Sequence, residues 1–400
     1  MGGYRRAVVP PTLILADDLT GAADCGVQAV RRGLRATVSL RGMPPAAEAD
    51  VVALDLDTRE GSAARALERT REAARAACDT LYVKLDSHLR GHLGAAIDGA
   101  LDGAEAEIAV VAPAFPGQRR TTVDGRQCVD GEPVADLVGR LRDQTARRVT
   151  GVGLAAVRGG GLARALAEPG GHLLACDAVE DADLARIVTA GRGAARRVVW
   201  AGSAGLAAAL FDGLPVSSAA PAVAGPLPGR AVLAVVGSVA ATAAVQLEAL
   251  LARPGCSGIA VDPAALADAP EATAAQAAEA ASAVLARGGD AIIHLTPGAP
   301  RLGRGRAARI AAGLALAAGP AIEHAAGLLL TGGETARAVC DRAGLTAIDL
   351  IAEVEPGVPL GRAGTPARAI VTKSGGFGHP GTLTAALDAI KEHCACLSRT

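Results

Sequence analysis

The chain has 400 residues, well over one common domain length of about 100 to 150, so two domains are expected and a short binding module is excluded. Half of the residues are hydrophobic and 20% are charged, while 50 Gly and 22 Pro stay below the share that marks low complexity, so the chain should fold. Forty basic against forty-one acidic side chains leave a net charge of −1, and aromatics make up only 2%, so there is neither a broad basic field nor the stacking platforms that nucleic-acid binding uses.

Near the start, Arg5 and Arg6 precede an apolar run that Pro10 and Pro11 interrupt and Asp17 and Asp18 close, which argues against a secretory leader. No uncharged stretch reaches the roughly 20 residues of a membrane span. Short apolar runs then alternate with Ala-rich helical periods, the pattern of an α/β fold with mainly parallel sheets. Strands are expected at Leu13 to Ala16, Ala36 to Leu40, Val51 to Leu54, Leu81 to Lys84, Ile108 to Ala112, His172 to Cys176 and Arg197 to Trp200. Asp212 to Gly229 carries four Pro and no periodicity and reads as a linker rich in Pro, Ala and Gly. The expected domains are therefore 1–225 and 226–400, each a doubly wound sheet. In the second, strands are expected at Val232 to Val236, Gly258 to Val261, Ala291 to Leu295, Leu328 to Leu330, within Ala347 to Glu353, and at Ala369 to Thr372.

The eight cysteines are scattered, with only Cys394 and Cys396 close together, and neither they nor the seven histidines have zinc-ligand spacing; reduced cytosolic thiols and a cytoplasmic protein are expected. Only three basic residues are Lys, at 84, 373 and 391, and the chain contains no Asn. A composition that replaces Lys wherever Arg suffices makes the survivors informative, because an ammonium is a compact point charge and a guanidinium a planar fork.

Ligands of open parallel sheets bind beyond the carboxyl ends of strands. Asp17 and Asp18 follow the first strand, where one can cap the next helix and the other can hold a sugar hydroxyl or take its proton. Lys84, Asp86, Ser87, His88 and Arg90 follow another strand, and their cations, carboxylate and hydroxyl suit a small polyhydroxy acid. Arg119 or Arg120 could close on the same anion, and Asp124-Gly125 reads as a hairpin turn. In the second half, Gly237-Ser238 and Thr331-Gly332-Gly333-Glu334-Thr335 each link a strand to a helix, where exposed backbone N–H groups make phosphate sites. Lys373-Ser374-Gly375-Gly376 adds a rare Lys to that case. No Walker loop or dinucleotide fingerprint is present, and Gly202-Ser203 reads as a helix start rather than a nucleophile elbow.

These residues resemble the four-carbon acid sugar kinases, long carried as a domain of unknown function. The resemblance spans nearly the whole chain and rests on L-A-D-D-L-T-G-A at 15–22, K-L-D-S-x-L-R-G at 84–91, A-P-A-F-P at 112–116, G-S-A-G-L-A at 202–207, T-G-G-E-T at 331–335, E-x-x-P-G-V-P at 353–359 and K-S-G-G-F-G at 373–378. It implies an N-terminal sugar-acid-binding domain and a C-terminal ATP-binding domain, with the active site in the cleft between them. It also implies Mg²⁺-dependent transfer of the γ-phosphoryl to a terminal hydroxyl. Asp17, Asp18, Lys84, Asp86, Ser87 and Arg90 would contact the acid, and Ser238, Gly332, Gly333, Glu334, Thr335 and Gly375 the nucleotide. Asp18 is the expected catalytic base, with Asp17 and Asp86 as rivals; the metal ligands and any homo-oligomer are left open. Gly376, Ala240 and Leu360 depart from the family's Asn, Ser and aromatic residue. The alternatives are a kinase of another small acid and a non-catalytic sugar-acid sensor.

Overall fold

The computed structural model describes residues 12–42, 49–76, 78–214, 231–296 and 304–397. Arg5, Arg6, the expected linker from residue 215 onward with its boundary near 225, and the side chain of Cys396 lie outside the described residues. The chain divides into two compact units. The first comprises Met1–Asp17, Gln28–Thr37 and Gly42–Ala219, and the second Asp18–Val27, Val38–Arg41 and Ala220–Thr400. Most of the helix Leu19–Val30, although it follows the first strand, is thus grouped with the second unit.

The strands of the N-terminal half are β1 (Thr12–Ala16), β2 (Ala36–Ser39), β3 (Val51–Asp55), β4 (Thr80–Lys84), β5 (Ile108–Ala112), β6 (Arg120–Val123), β7 (Arg126–Val129), β8 (Glu132–Asp136), β9 (Arg148–Val152), β10 (His172–Cys176) and β11 (Val198–Gly202). In the first unit they form a parallel sheet in the order β3-β1-β4-β11-β5-β10-β9. β1, β3, β5 and β10 are buried throughout, as the continuous apolar runs of a sheet covered on both faces require. One face packs Leu13, Leu15, Val83 and Val111 against Leu93, Ile97 and Leu101 of the helix Leu93–Gly103.

The second unit contains β12 (Val232–Val236), β13 (Cys256–Val261), β14 (Asp290–Leu295), β15 (Gly327–Thr331), β16 (Ala347–Glu355), β17 (Val358–Ala363) and β18 (Arg368–Lys373). Their order is β13-β14-β12-β15-β18-β17-β16, parallel through β18 and antiparallel from β18 to β16. A large, mainly parallel sheet in an α/β chain agrees with the expected fold class, although two separate sheets were expected.

Four features were not anticipated. β6, β7 and β8 form a separate antiparallel sheet, β9 closes an edge, and β17 returns antiparallel between β16 and β18. The reason is local: β8 is mostly exposed and contains Pro133, while β17 (VPLGRA) has neither alternation nor a purely apolar run, so its pairing comes from its neighbours. Fourth, the helix after Ser238 begins only at Ala241.

Candidate active site

In the first unit the chain runs from β1 to β3 on one side and to β4 on the other, and the ends of these three strands converge at that reversal. Asp17 follows β1, Arg59 lies four residues past β3, and Lys84–Arg90 runs out of β4. The Arg59 guanidinium forks onto Asp17, Nη2 to Oδ1 at 2.6 Å and Nε to Oδ2 at 2.8 Å, and its Nη2 lies 3.9 Å from Asp86 Oδ1. Asp86 in turn takes the Arg90 fork at 2.7 and 2.8 Å and accepts from the backbone N–H groups of His88 and Arg90. A row of carboxylate, guanidinium, carboxylate and guanidinium results, and Arg59 is the member that sequence reasoning missed.

Burial alone would raise the Asp86 carboxyl, but the Arg90 hydrogen bonds and the charges of Arg59, Arg90 and Lys84 outweigh it and hold the group far below the ordinary carboxylate range. Lys84 is buried at the end of β4 and donates to the Leu85 carbonyl at 2.9 Å. Burial and the Arg120 charge lower the His88 imidazole from its ordinary value, which favours its neutral form. The loop wraps tightly around Asp86, with Leu89 donating to its carbonyl from a left-handed conformation (φ 59°). Gly91 follows at φ 83°, and a Cβ there would sit 3.1 Å from Asp17 Oδ2.

Of the two expected anion closers, Arg119 is exposed and paired with Asp130, whereas Arg120 is buried on β6. Asp124-Gly125 is the β6–β7 turn, both residues at positive φ, as the sequence suggested. Ser203 caps the helix Ala204–Phe211, which confirms a helix start and not a nucleophile elbow.

In the second unit the order reverses around β12, whose neighbours are β14 and β15, and again the informative residues leave adjacent strand ends. Ser238 follows β12, Gly332 and Gly333 follow β15, and Gly375 follows β18. Here contact is made by the absence of side chains. A Cβ on Gly375 would overlap Ser238 Oγ, one on Gly237 would overlap Thr335 Oγ1, and one on Gly333 would lie 2.6 Å from Asp18 Oδ2. Gly332 sits at φ 98° as the cap of the helix Gly333–Arg342, on whose first turn Glu334 is exposed and Thr335 buried. The backbone N–H groups at this helix start suit a phosphate.

Asp18 belongs to this second group. It caps the helix Leu19–Val30, with Oδ1 accepting from the Gly21 amide at 2.8 Å and Oδ2 from Thr20 Oγ1 at 2.7 Å. Asp17 and Asp18, adjacent in sequence, thus serve different units. Lys373 is fully buried and donates to the carbonyls of Ser374 (2.7 Å) and Phe377 (2.8 Å), pinning the loop that carries Gly375; burial lowers its ammonium to about 8, against a smaller opposing pull from Glu355. The E-x-x-P-G-V-P segment is the β16–β17 turn that braces this loop. Glu355 accepts from Thr382 Oγ1 and contacts the His379 ring, and a Cβ at Gly357 would overlap the Phe377 ring. The seven described cysteines are free.

Comparison with known proteins divides the chain in a similar way. A family model described as a sugar-binding N-terminal domain matches residues 12–210, and one described as a nucleotide-binding C-terminal domain matches residues 233–383. The chain is 36% identical to a D-threonate kinase of Cupriavidus necator, over 95% of this chain and 98% of that protein. It is also 36% identical to a D-threonate kinase of Bordetella bronchiseptica (95% and 97%) and 33% identical to a 3-oxo-tetronate kinase of Methylobacterium radiotolerans (94% and 98%). A Salmonella typhimurium LT2 crystal structure shares the fold, with a TM-score of 0.77 at 22% identity over 95% of this chain and 99% of that one. No described helix is long and apolar enough to cross a membrane. With both domain models in order and full-length relatives of one enzyme class, the chain belongs to the four-carbon acid sugar kinase family.

Proposed function

We propose that the chain transfers the γ-phosphoryl group of ATP to the C4 hydroxyl of a four-carbon sugar acid such as threonate, erythronate or 3-oxo-tetronate. The observation that carries this reading is the different construction of the two groups of strand-end residues. One presents fixed positive charge around two carboxylates, which suits a small acid with hydroxyls. The other presents glycine turns and a helix start, which suits a polyphosphate. In the first, Lys84, Arg59 and Arg90 neutralise the acid's carboxylate, while Asp17, Asp86 and Ser87 hold its hydroxyls. In the second, Ser238, Gly332, Gly333, Glu334, Thr335 and Gly375 receive the nucleotide.

Phosphoryl transfer asks of the protein alignment, charge neutralisation and a group to accept the hydroxyl proton. Asp18 is the proposed base. Asp17 and Asp86 each face a guanidinium fork, which stabilises the charged carboxylate and weakens it as a proton acceptor; Asp18 lies beside Gly333, at the turn proposed to receive the phosphates. Among the described residues no group of three or more His, Cys, Asp or Glu is placed to hold a metal. A magnesium ion bound with the nucleotide would be held mostly by phosphate oxygens and water, with Glu334 as the protein carboxylate at the turn. Bound with the nucleotide, it supplies neutralisation of phosphate charge.

The test is ADP release by purified protein with ATP and Mg²⁺ against D- and L-threonate, D- and L-erythronate and 3-oxo-tetronate, with five- and six-carbon acids as controls. Turnover on one four-carbon acid is expected. Binding of an acid without ADP release across the panel would instead identify a sensor. Asp18→Asn should lower kcat by about 100-fold or more with both KM values little changed; near-normal turnover would remove Asp18 from the role of base.

A further inference from the structure

The antiparallel sheet β6–β7–β8 has no part in the transfer outlined above, yet a buried amide fastens it to the acid-binding loop. Gln127 on β7 is fully buried; its Nε2 donates to the Ser87 carbonyl at 3.0 Å and its Oε1 accepts from Thr122 Oγ1 on the facing strand at 2.8 Å. Thr122 is itself held, since its backbone N–H and C=O exchange hydrogen bonds with Ala178, two residues past β10. The turn is held too. The Asp124 and Gly125 amides each donate to one oxygen of the buried Asp177 carboxylate, at 2.7 and 2.9 Å. The hairpin is therefore anchored at both its turn and its middle to the main sheet and reaches the acid loop through Gln127.

Gln127 meets the loop at a sensitive point. The Ser87 peptide lies between Asp86, which receives two guanidiniums, and His88, whose N–H closes back on Asp86 Oδ2 at 3.2 Å. Rotation of the Ser87–His88 peptide would release that N–H from Asp86 and loosen the loop that carries the Ser87 hydroxyl. An amide with both ends satisfied in a buried site has one orientation, because flipping it would set donor against donor at Thr122 only if the hydroxyl could not turn, and acceptor against acceptor at Ser87 in every case.

We propose that Gln127, oriented by Thr122, is a positioning residue for the sugar acid, acting through the Ser87 peptide; this deepens the kinase reading above and rests on it. The antiparallel sheet is then a brace that sets the acid loop from outside the parallel sheet.

The experiment compares Gln127→Leu, Thr122→Val and Thr122→Ser with the wild type by steady-state kinetics and by amide hydrogen exchange. A net hydrogen-bond loss corresponds to about a threefold to tenfold effect. Gln127→Leu is therefore expected to raise KM for the acid by about tenfold with KM for ATP within about twofold. Thr122→Val should give about threefold, and Thr122→Ser, which keeps the hydroxyl, should return to the wild-type value. Exchange at His88, Leu89 and Arg90 should quicken in Gln127→Leu while amides of the second unit stay unchanged. Equal rises in both KM values, or unchanged acid KM with unchanged loop exchange, would overturn the proposal. If Gln127→Leu fails to fold, the Thr122 pair decides. If the wild type phosphorylates no four-carbon acid, the functional reading fails, and loop exchange still tests the brace.

Discussion

The two groups of strand-end residues solve opposite recognition problems with opposite materials. In the first unit, Asp17, Arg59, Asp86 and Arg90 are held by charge in a sequence of forked ion pairs. In the second, Ser238, Thr335 and Asp18 are approached closely by Gly375, Gly237 and Gly333, three contacts that each depend on a missing Cβ. A small acid carries one fixed charge that side chains must meet. A polyphosphate spreads its charge over many oxygens that backbone N–H groups can reach if nothing stands in front of them. Steric substitutions should therefore damage the second group at any pH, whereas the first should respond to charge and pH.

The largest effect is expected from Gly375→Ala and Gly333→Ala, whose new methyl groups would press on Ser238 and Asp18. Overpacking of this kind costs about 1–3 kcal/mol locally. Displacement of the turn should lower kcat/KM for ATP by about 100-fold, with acid affinity by calorimetry little altered. Equal loss of acid binding would collapse the distinction between the groups.

Arg59→Ala comes next, leaving Asp17 without its fork and Asp86 with one guanidinium fewer. The pair is mostly but not fully buried, so a stability loss of about 2 kcal/mol is expected, below the range for a fully buried pair. KM for the acid should rise by about tenfold or more, and Arg59→Lys should recover only part, since an ammonium cannot fork. An unchanged acid KM in a folded variant would place Arg59 outside recognition.

Proton linkage sharpens the comparison further. The Asp86 carboxyl is held below its unfolded value, so its contribution is present at neutral pH and lost as pH falls through the ordinary carboxylate range toward the folded value. Thermal melts from about pH 7 to about pH 3 should show a steeper acid loss in the wild type than in Asp86→Asn. Parallel curves would contradict the charge-held description.

The smallest effect concerns Lys373, which titrates near 8 in the folded chain against an ordinary value of 10.5. Between these values the unfolded chain binds more protons, so the wild type should gain stability relative to Lys373→Met as pH rises above about 8, by roughly 1 kcal/mol over the first pH unit, and show no slope from this group below it. The neutral amine keeps two N–H donors for the Ser374 and Phe377 carbonyls.

Much of this was legible in the chain because it is encoded locally. Continuous apolar runs announced β1, β5, β10 and β12, and residues just past strand ends, Asp17, Asp86, Ser238 and Gly332, stood out by type. Arg59 was not legible: it sits in an exposed-looking Thr-Arg-Glu-Gly stretch, and its importance comes from Asp17, 42 residues away. Gln127 was hidden for the same reason, with Ser87 40 residues distant.

Local order of residues by itself determined the α/β class, most strand positions, the turn at Asp124-Gly125 and the family motifs, because periodicity, Gly placement and charge type act over a few residues. Tertiary structure alone decided that Asp17 and Asp18 join different units, that Lys373 spends its charge on its own loop, and that β17 and the β6–β8 sheet exist at all. Each depends on hydrogen-bond partners brought together by strand order, and strand order is a property of the whole chain.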